Sequence, residues 1–100
     1  MLRFKVLVIQ RGKAFLGVPC DVSKSVIILG ASKKEILKKA QLAILEEVKE
    51  RRELFVPNYK ASIESIVREK NVKTEDGDKL TLEQVEIEFT YNNVRLGEIQ

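Results

Sequence analysis

Between Ile36 and Val48 the residues Ile36, Leu37, Ala40, Ala43, Ile44 and Val48 recur at intervals of three and four, while Lys34, Lys38, Lys49 and Glu53 fall opposite them. That spacing is the signature of a helix with one buried face, so the chain must supply an apolar surface for the stripe to cover. The start of the helix is also encoded. Ser32 stands three residues before Glu35, the spacing at which a serine oxygen accepts from a first-turn amide and the glutamate returns to another. Gly30 and Ala31 separate this start from what precedes it, and Pro57 with Asn58 marks the exit.

The surface for the stripe is found upstream. From Leu2 to Ile9 the chain alternates Leu2, Phe4, Val6 and Val8 against Arg3, Lys5, Leu7 and Ile9, the period of a strand. Gln10 to Lys13 is a polar turn with a glycine, and Ala14 to Val18 returns as a second strand that Pro19 ends, which makes a hairpin. Beyond Asp21, the run Ser25 to Leu29 is short, apolar and β-branched, as in a strand buried on both faces or at a sheet centre.

Downstream of Pro57, the segment Tyr59 to Val72 fits two periods. Ile63, Ile66, Val67 and Lys70 suit a helix; Tyr59, Ala61, Ile63, Ser65 and Val67 suit a strand, and the strand is preferred. Asp76-Gly77, within Thr74 to Lys79, is a hairpin signal, and Val85, Ile87, Phe89 and Tyr91 then alternate with Gln84, Glu86, Glu88 and Thr90 in a strand with one acidic face. The last ten residues read as a turn and a polar tail, with Val94 and Leu96 against the body. The expectation is a single α+β domain over residues 1–100. A β-β-β-α core occupies 1–57 and a strand-rich extension with a C-terminal β-hairpin occupies 58–100, the small antiparallel sheet packing on one main amphipathic helix.

One hundred residues allow a single core. No apolar run reaches the length of a bilayer, so a cytoplasmic protein with no membrane partner is expected. The single Cys20 cannot form an internal disulfide and reads as a small buried hydrophobe. The chain has no histidine, which removes the usual general base and a common metal ligand. Glu75, Asp76 and Asp78 could offer oxygen ligands to a divalent cation, but they lack the spacing of a calcium loop and read as an acidic turn. No catalytic residue, metal or cofactor is expected, and the chain is read as no enzyme. Abundant lysine, glutamate and β-branched residues, with scarce glutamine and methionine, suit a thermophilic source.

Residues 1–57 carry 12 Lys+Arg against 6 Asp+Glu, a net of +6, and residues 58–100 carry 6 against 9, a net of −3. Two readings follow: complementary faces of one fold or solvated charges that merely cluster, which is preferred, or a basic surface for nucleic acid or an acidic partner.

The three strands followed by the capped helix at Gly30 to Ile44 resemble the N-terminal domain of the HicB-like antitoxin family. The matching positions are Gly30, Ser32, Glu35, Leu37, Ala40, Ala43 and Ile44, and the exit of the second strand, Val18 to Asp21, is similar to the family's proline-aspartate loop. Ser23 to Ser25 replaces the family's proline-glycine pair, and the second half shows neither the helix-turn-helix nor the ribbon-helix-helix segment usually appended. The resemblance covers about half of the chain. It implies a three-stranded antiparallel sheet on one helix and a binding role, with a toxin as the kind of protein partner.

If Phe4, Val6 and Val8 face the helix, then Arg3, Lys5, Leu7 and Ile9 form a mixed basic and apolar strip on the opposite face, a candidate partner or oligomer surface. Leu42 lies at the centre of the helix's outward face with Leu45 at its shoulder, and these join the same candidate set. A homodimer is expected from such uncovered apolar surface. Arg11 and Lys13, at the hairpin tip, are the candidate phosphate contacts should nucleic acid bind.

Overall fold

The computed structural model describes residues 2–22, 26–51, 57–90 and 93–99, with the backbone alone at 51, 89, 90, 93–96, 98 and 99. The elements in chain order are β1 (Leu2–Arg11), β2 (Ala14–Pro19), β3 (Ile28–Gly30), α1 (Lys33–Arg51), α2 (Ile63–Glu69), β4 (Lys79–Thr90) and β5 (Asn93–Ile99). The strands form one sheet in the order β3-β2-β1-β4-β5, every neighbouring pair antiparallel. The fold is α+β, with α1 packed on one face of the sheet as its stripe requires.

The β1–β2 hairpin pairs Arg11 with Ala14, leaving Gly12-Lys13 as a two-residue loop, and Gly12 takes φ +60 at the first loop position, where a side chain would be strained. Ser32 caps α1 as its spacing predicts: its Oγ accepts from the Glu35 amide at 3.1 Å. The glutamate reaches one residue further back than in the usual reciprocal pair, its Oε2 accepting from the Ala31 amide at 2.8 Å. That bond first, and Lys39 second, hold the Glu35 carboxyl below its usual range. Ile36, Leu37, Ala40, Ile44 and Val48 are buried with Phe4, Val6, Val8, Val85 and Ile87 in the larger of two core clusters. Lys34, Lys38 and Lys49 are exposed opposite, and Glu53 lies outside the described residues.

Residues Ile63–Glu69 correct the preferred strand reading, for they form α2. The cap decides the matter locally. Ser62 Oγ accepts from the Ser65 amide at 3.1 Å and Ser65 Oγ accepts from the Ser62 amide at 2.8 Å, which satisfies two amides that a helix start leaves open. Ile63, Ile66 and Val67 then fall on one side and pack against Leu7, Ile9, Val18 and Cys20, the second cluster, on the face of the sheet away from α1. Full burial of Ile66 is worth about 1.5–3 kcal/mol, and with Ala61, Ile63 and Val67 in the same cluster it contributes to holding so short a helix on its sheet.

Three further expectations change. Asp76-Gly77 does make a turn, with Gly77 at φ +88 and the Asp78 amide donating to the Glu75 carbonyl at 3.1 Å, but it leads from α2 into β4 instead of joining two strands. The polar tail is strand β5, because pairing with β4 satisfies its backbone; the side chains of Val94 and Leu96 lie outside the described residues. The run ending at Leu29 sits at the sheet edge, not its centre, so only Ile28 of the β3 side chains is buried.

Candidate functional site

The strip read from β1 is not an open surface. Leu7 and Ile9 are 0% and 2% exposed because α2 covers them, so they cannot meet a partner or a second copy. The cations beside them secure that cover. Lys5 Nζ donates to the carbonyls of Tyr59 and Ala61 at 2.8 and 2.9 Å, just ahead of α2, and Lys70 Nζ at its far end donates to the Val22 carbonyl. Arg3 pairs with Glu86 across β1 and β4, Nε to Oε1 at 3.2 Å.

Arg11, a candidate phosphate contact, is likewise engaged within the chain. Its Nε and Nη2 donate to the two oxygens of Asp78 at 3.0 and 2.9 Å, a bidentate pair, and Glu75 lies 3.2 Å from Nε. The hydrogen bond from Arg11 first, and the Glu75 amide second, push the Asp78 carboxyl down to about 2. The acidic turn therefore anchors the exit of α2, and no group of carboxylates, thiols or histidines suited to a metal occurs among the described residues. Lys13 is exposed at the hairpin tip. Cys20 is buried in the second cluster; burial, then the neighbouring Asp21, pushes its thiol up to about 11.

On α1, Leu45 is half-buried against the larger cluster, whereas Leu42 is 52% exposed. The two most exposed large aliphatic side chains among the described residues lie elsewhere: Leu29, 64%, on β3, and Ile27, 62%, just before it. Ile28 between them points into the α1 cluster, so Ile27 and Leu29 share the opposite face. The sequence offers a signal for this pair, the apolar run of four from Val26 to Leu29, but nothing in the run says that it would lie at an edge.

Beside this pair a cleft of about 340 Å³ opens between β2 and the chain leaving α2. Ile9, Leu16, Val18, Ile27 and Val72 supply its apolar lining, and Arg11 and Lys73 its charge; no acidic side chain lines it. Asn71 makes the cleft by its backbone, at φ 52, which turns the chain after α2 so that Val72 packs back toward the sheet. A second, wider hollow lies on the other side of α2, over Ile63, Val67 and Leu80, with Glu64, Arg68, Glu75 and Asp78 at its borders. No helix among the described residues is long and apolar enough to cross a membrane. Comparison with protein-family models, with curated proteins and with solved structures finds no match to this chain.

Proposed function

We propose that the protein is a small binding or regulatory module, of the HicB-like antitoxin kind, that acts by holding a protein partner and performs no catalysis. The observation that carries this reading is the exposed apolar pair formed by Leu29 on the edge strand β3 and Ile27 just before it, a place where a monomer ordinarily keeps charge or proline. The β1-β2-β3 meander packed on a serine-capped α1 is the arrangement the resemblance implies, which adds support. The second half departs from that family, since α2 and β4 contribute to the core and β5 extends the sheet where the antitoxins append a DNA-binding segment. The proposed role is accordingly partner binding without operator binding, in the cytoplasm, where a single unpaired thiol such as Cys20 is at home.

A small basic protein encoded in the adjacent reading frame is the partner this reading expects. Co-expression and co-purification test it: a stable complex, with relief of growth arrest caused by the neighbour alone, supports the antitoxin reading, and separate elution of the two proteins ends it. Homodimerisation through Leu42 belongs to the same proposal, and sedimentation of the wild type against Leu42→Lys over micromolar concentrations checks it. Direct nucleic-acid binding is less well supported, because Arg11 is engaged by Asp78 and Lys5 by two carbonyls.

A further inference from the structure

We infer that the segment from Asn58 to Val72, with α2 at its centre, is a latched cover that lifts from the sheet as a unit while α1 and the five strands stay folded, and that lifting it opens an apolar sheet face. This motion does not depend on the binding reading above.

The segment is tied to the rest of the fold by side chains alone. Among the described residues, its main-chain hydrogen bonds stay inside it, including Ala61 to Asn58, Ile66 to Ser62, Lys70 to Ile66 and Val72 to Val67. No strand ladder therefore has to break when it leaves. Its polar ties are Lys5 Nζ to the carbonyls of Tyr59 and Ala61, Lys70 Nζ to the Val22 carbonyl, and the Asn58 amide to Asp21 Oδ1 at 3.1 Å. Each joins a side chain to a main-chain group at an exposed or half-buried place, so water replaces the lost partner as the segment lifts.

The two cores are also separate. α1 lies against all five strands and buries Phe4, Val6, Val8, Val85 and Ile87, whereas α2 covers Leu7, Ile9, Val18 and Cys20, and no residue belongs to both clusters. Lifting α2 leaves the larger core filled, so this opening costs less than global unfolding. Seven residues do not hold a helix in water, and α2 loses its shape with its seat, which makes the opening cooperative. The face beneath is continuous: Leu7 pairs with Val18 and Leu82, and Ile9 with Leu16 and Leu80, so three adjacent strands present one apolar patch. Hollows on both sides of α2, one reaching Leu16 and Val18 and the other Leu80, mark the patch as wider than the helix that covers it.

Cys20 is the only thiol of the chain and lies under α2, so its accessibility reports the opening. Alkylation of Cys20 by iodoacetamide in urea below the unfolding transition, with hydrogen exchange of the Ile66 and Lys70 amides alongside, measures it on the full chain. Both probes should give one opening constant, with a urea slope about half or less of that for global unfolding. Lys5→Met and Lys70→Met should each speed alkylation and α2 exchange about threefold or more, by the same factor for both probes. Ile44→Val, in the larger core, should lower the folding constant about threefold or more yet leave Cys20 alkylation at low urea unchanged. Alkylation with the full urea slope, sped by Ile44→Val by the whole factor, would show that α2 leaves only on global unfolding and overturns the inference. So does alkylation that quickens in Lys5→Met without matching α2 exchange, which would confine the opening to the turn at Cys20. Wild-type rates in both lysine variants would remove the latch and overturn it as well.

Discussion

Gly17 of β2 and Ile36 of α1 approach so closely that a β-carbon added to the glycine would overlap the Ile36 Cγ2 methyl. Ile36 is fully buried at the start of the helix stripe, one turn after the Ser32 cap, and cannot swing aside without leaving the core. The glycine is therefore required by packing, since its backbone is ordinary strand. Gly17→Ala should destabilise the fold by about 1–3 kcal/mol, the range for overpacking a filled core. Urea unfolding gives the answer, and a smaller cost of Gly17→Ala in an Ile36→Ala background, where the Cγ2 methyl is gone, would identify the contact as the cause.

Ile66 makes α2 testable in solution. It is fully buried above Leu7, Ile9 and Cys20, so Ile66→Ala should cost about 2–5 kcal/mol if α2 covers the sheet. The same change should speed alkylation of Cys20, whose burial and raised thiol pKa keep it slow in the wild type. An unchanged alkylation rate alongside lost stability would place Ile66 away from Cys20.

These two helices also show how far the sequence could be read. For α1 the cap and the stripe coincide over five turns, and each alone points to a helix. For α2 the chain has seven residues, and Ile63 with Val67 fits both a period of two and a helical turn. Ile66 and the Ser62–Ser65 pair break the tie, but only once the face they cover exists. The alternation of β1 correctly separates Phe4, Val6 and Val8 from Leu7 and Ile9, yet alternation assigns faces without saying whether one or both are covered. The exposed pair at Ile27 and Leu29 was illegible for a related reason: a strand's place in the sheet order depends on its partners, and an apolar run looks the same at a centre and at an edge.

The Arg11–Asp78 pair predicts a specific acid sensitivity. Asp78 titrates near 2 in the folded chain, against about 4 when unfolded, so the unfolded chain takes up the proton first as pH falls. The stabilisation is thus complete above about pH 4 and is lost as pH drops toward about 2. Melting temperature measured across that window should fall more steeply for the wild type than for Asp78→Asn. Parallel curves would show that the pair does not respond to folding.

Gln41 joins the helix to the far edge of the sheet. Its side chain is buried, and Nε2 donates to the Glu86 carbonyl at 2.9 Å and to the Gly97 carbonyl at 2.7 Å, where the β4–β5 register shifts between Val85 and Ile87. Gly97 is needed there because an added β-carbon would come within 2.8 Å of the Glu86 Cβ. Gln41→Leu removes the donor from two carbonyls in a dry site and should cost about 1–3 kcal/mol, independent of pH. Gln41→Glu should behave differently, since a carboxylate facing two carbonyl oxygens can only accept and must protonate to bond. Its folded pKa would rise above the unfolded value of about 4.3, so its contribution is present at low pH and disappears as pH climbs through the folded value. Urea midpoints at about pH 5 and about pH 8 should therefore diverge for Gln41→Glu and coincide for Gln41→Leu, and a glutamate variant as stable as the wild type at the higher pH would mean that Gln41 does not bridge α1 to the register shift.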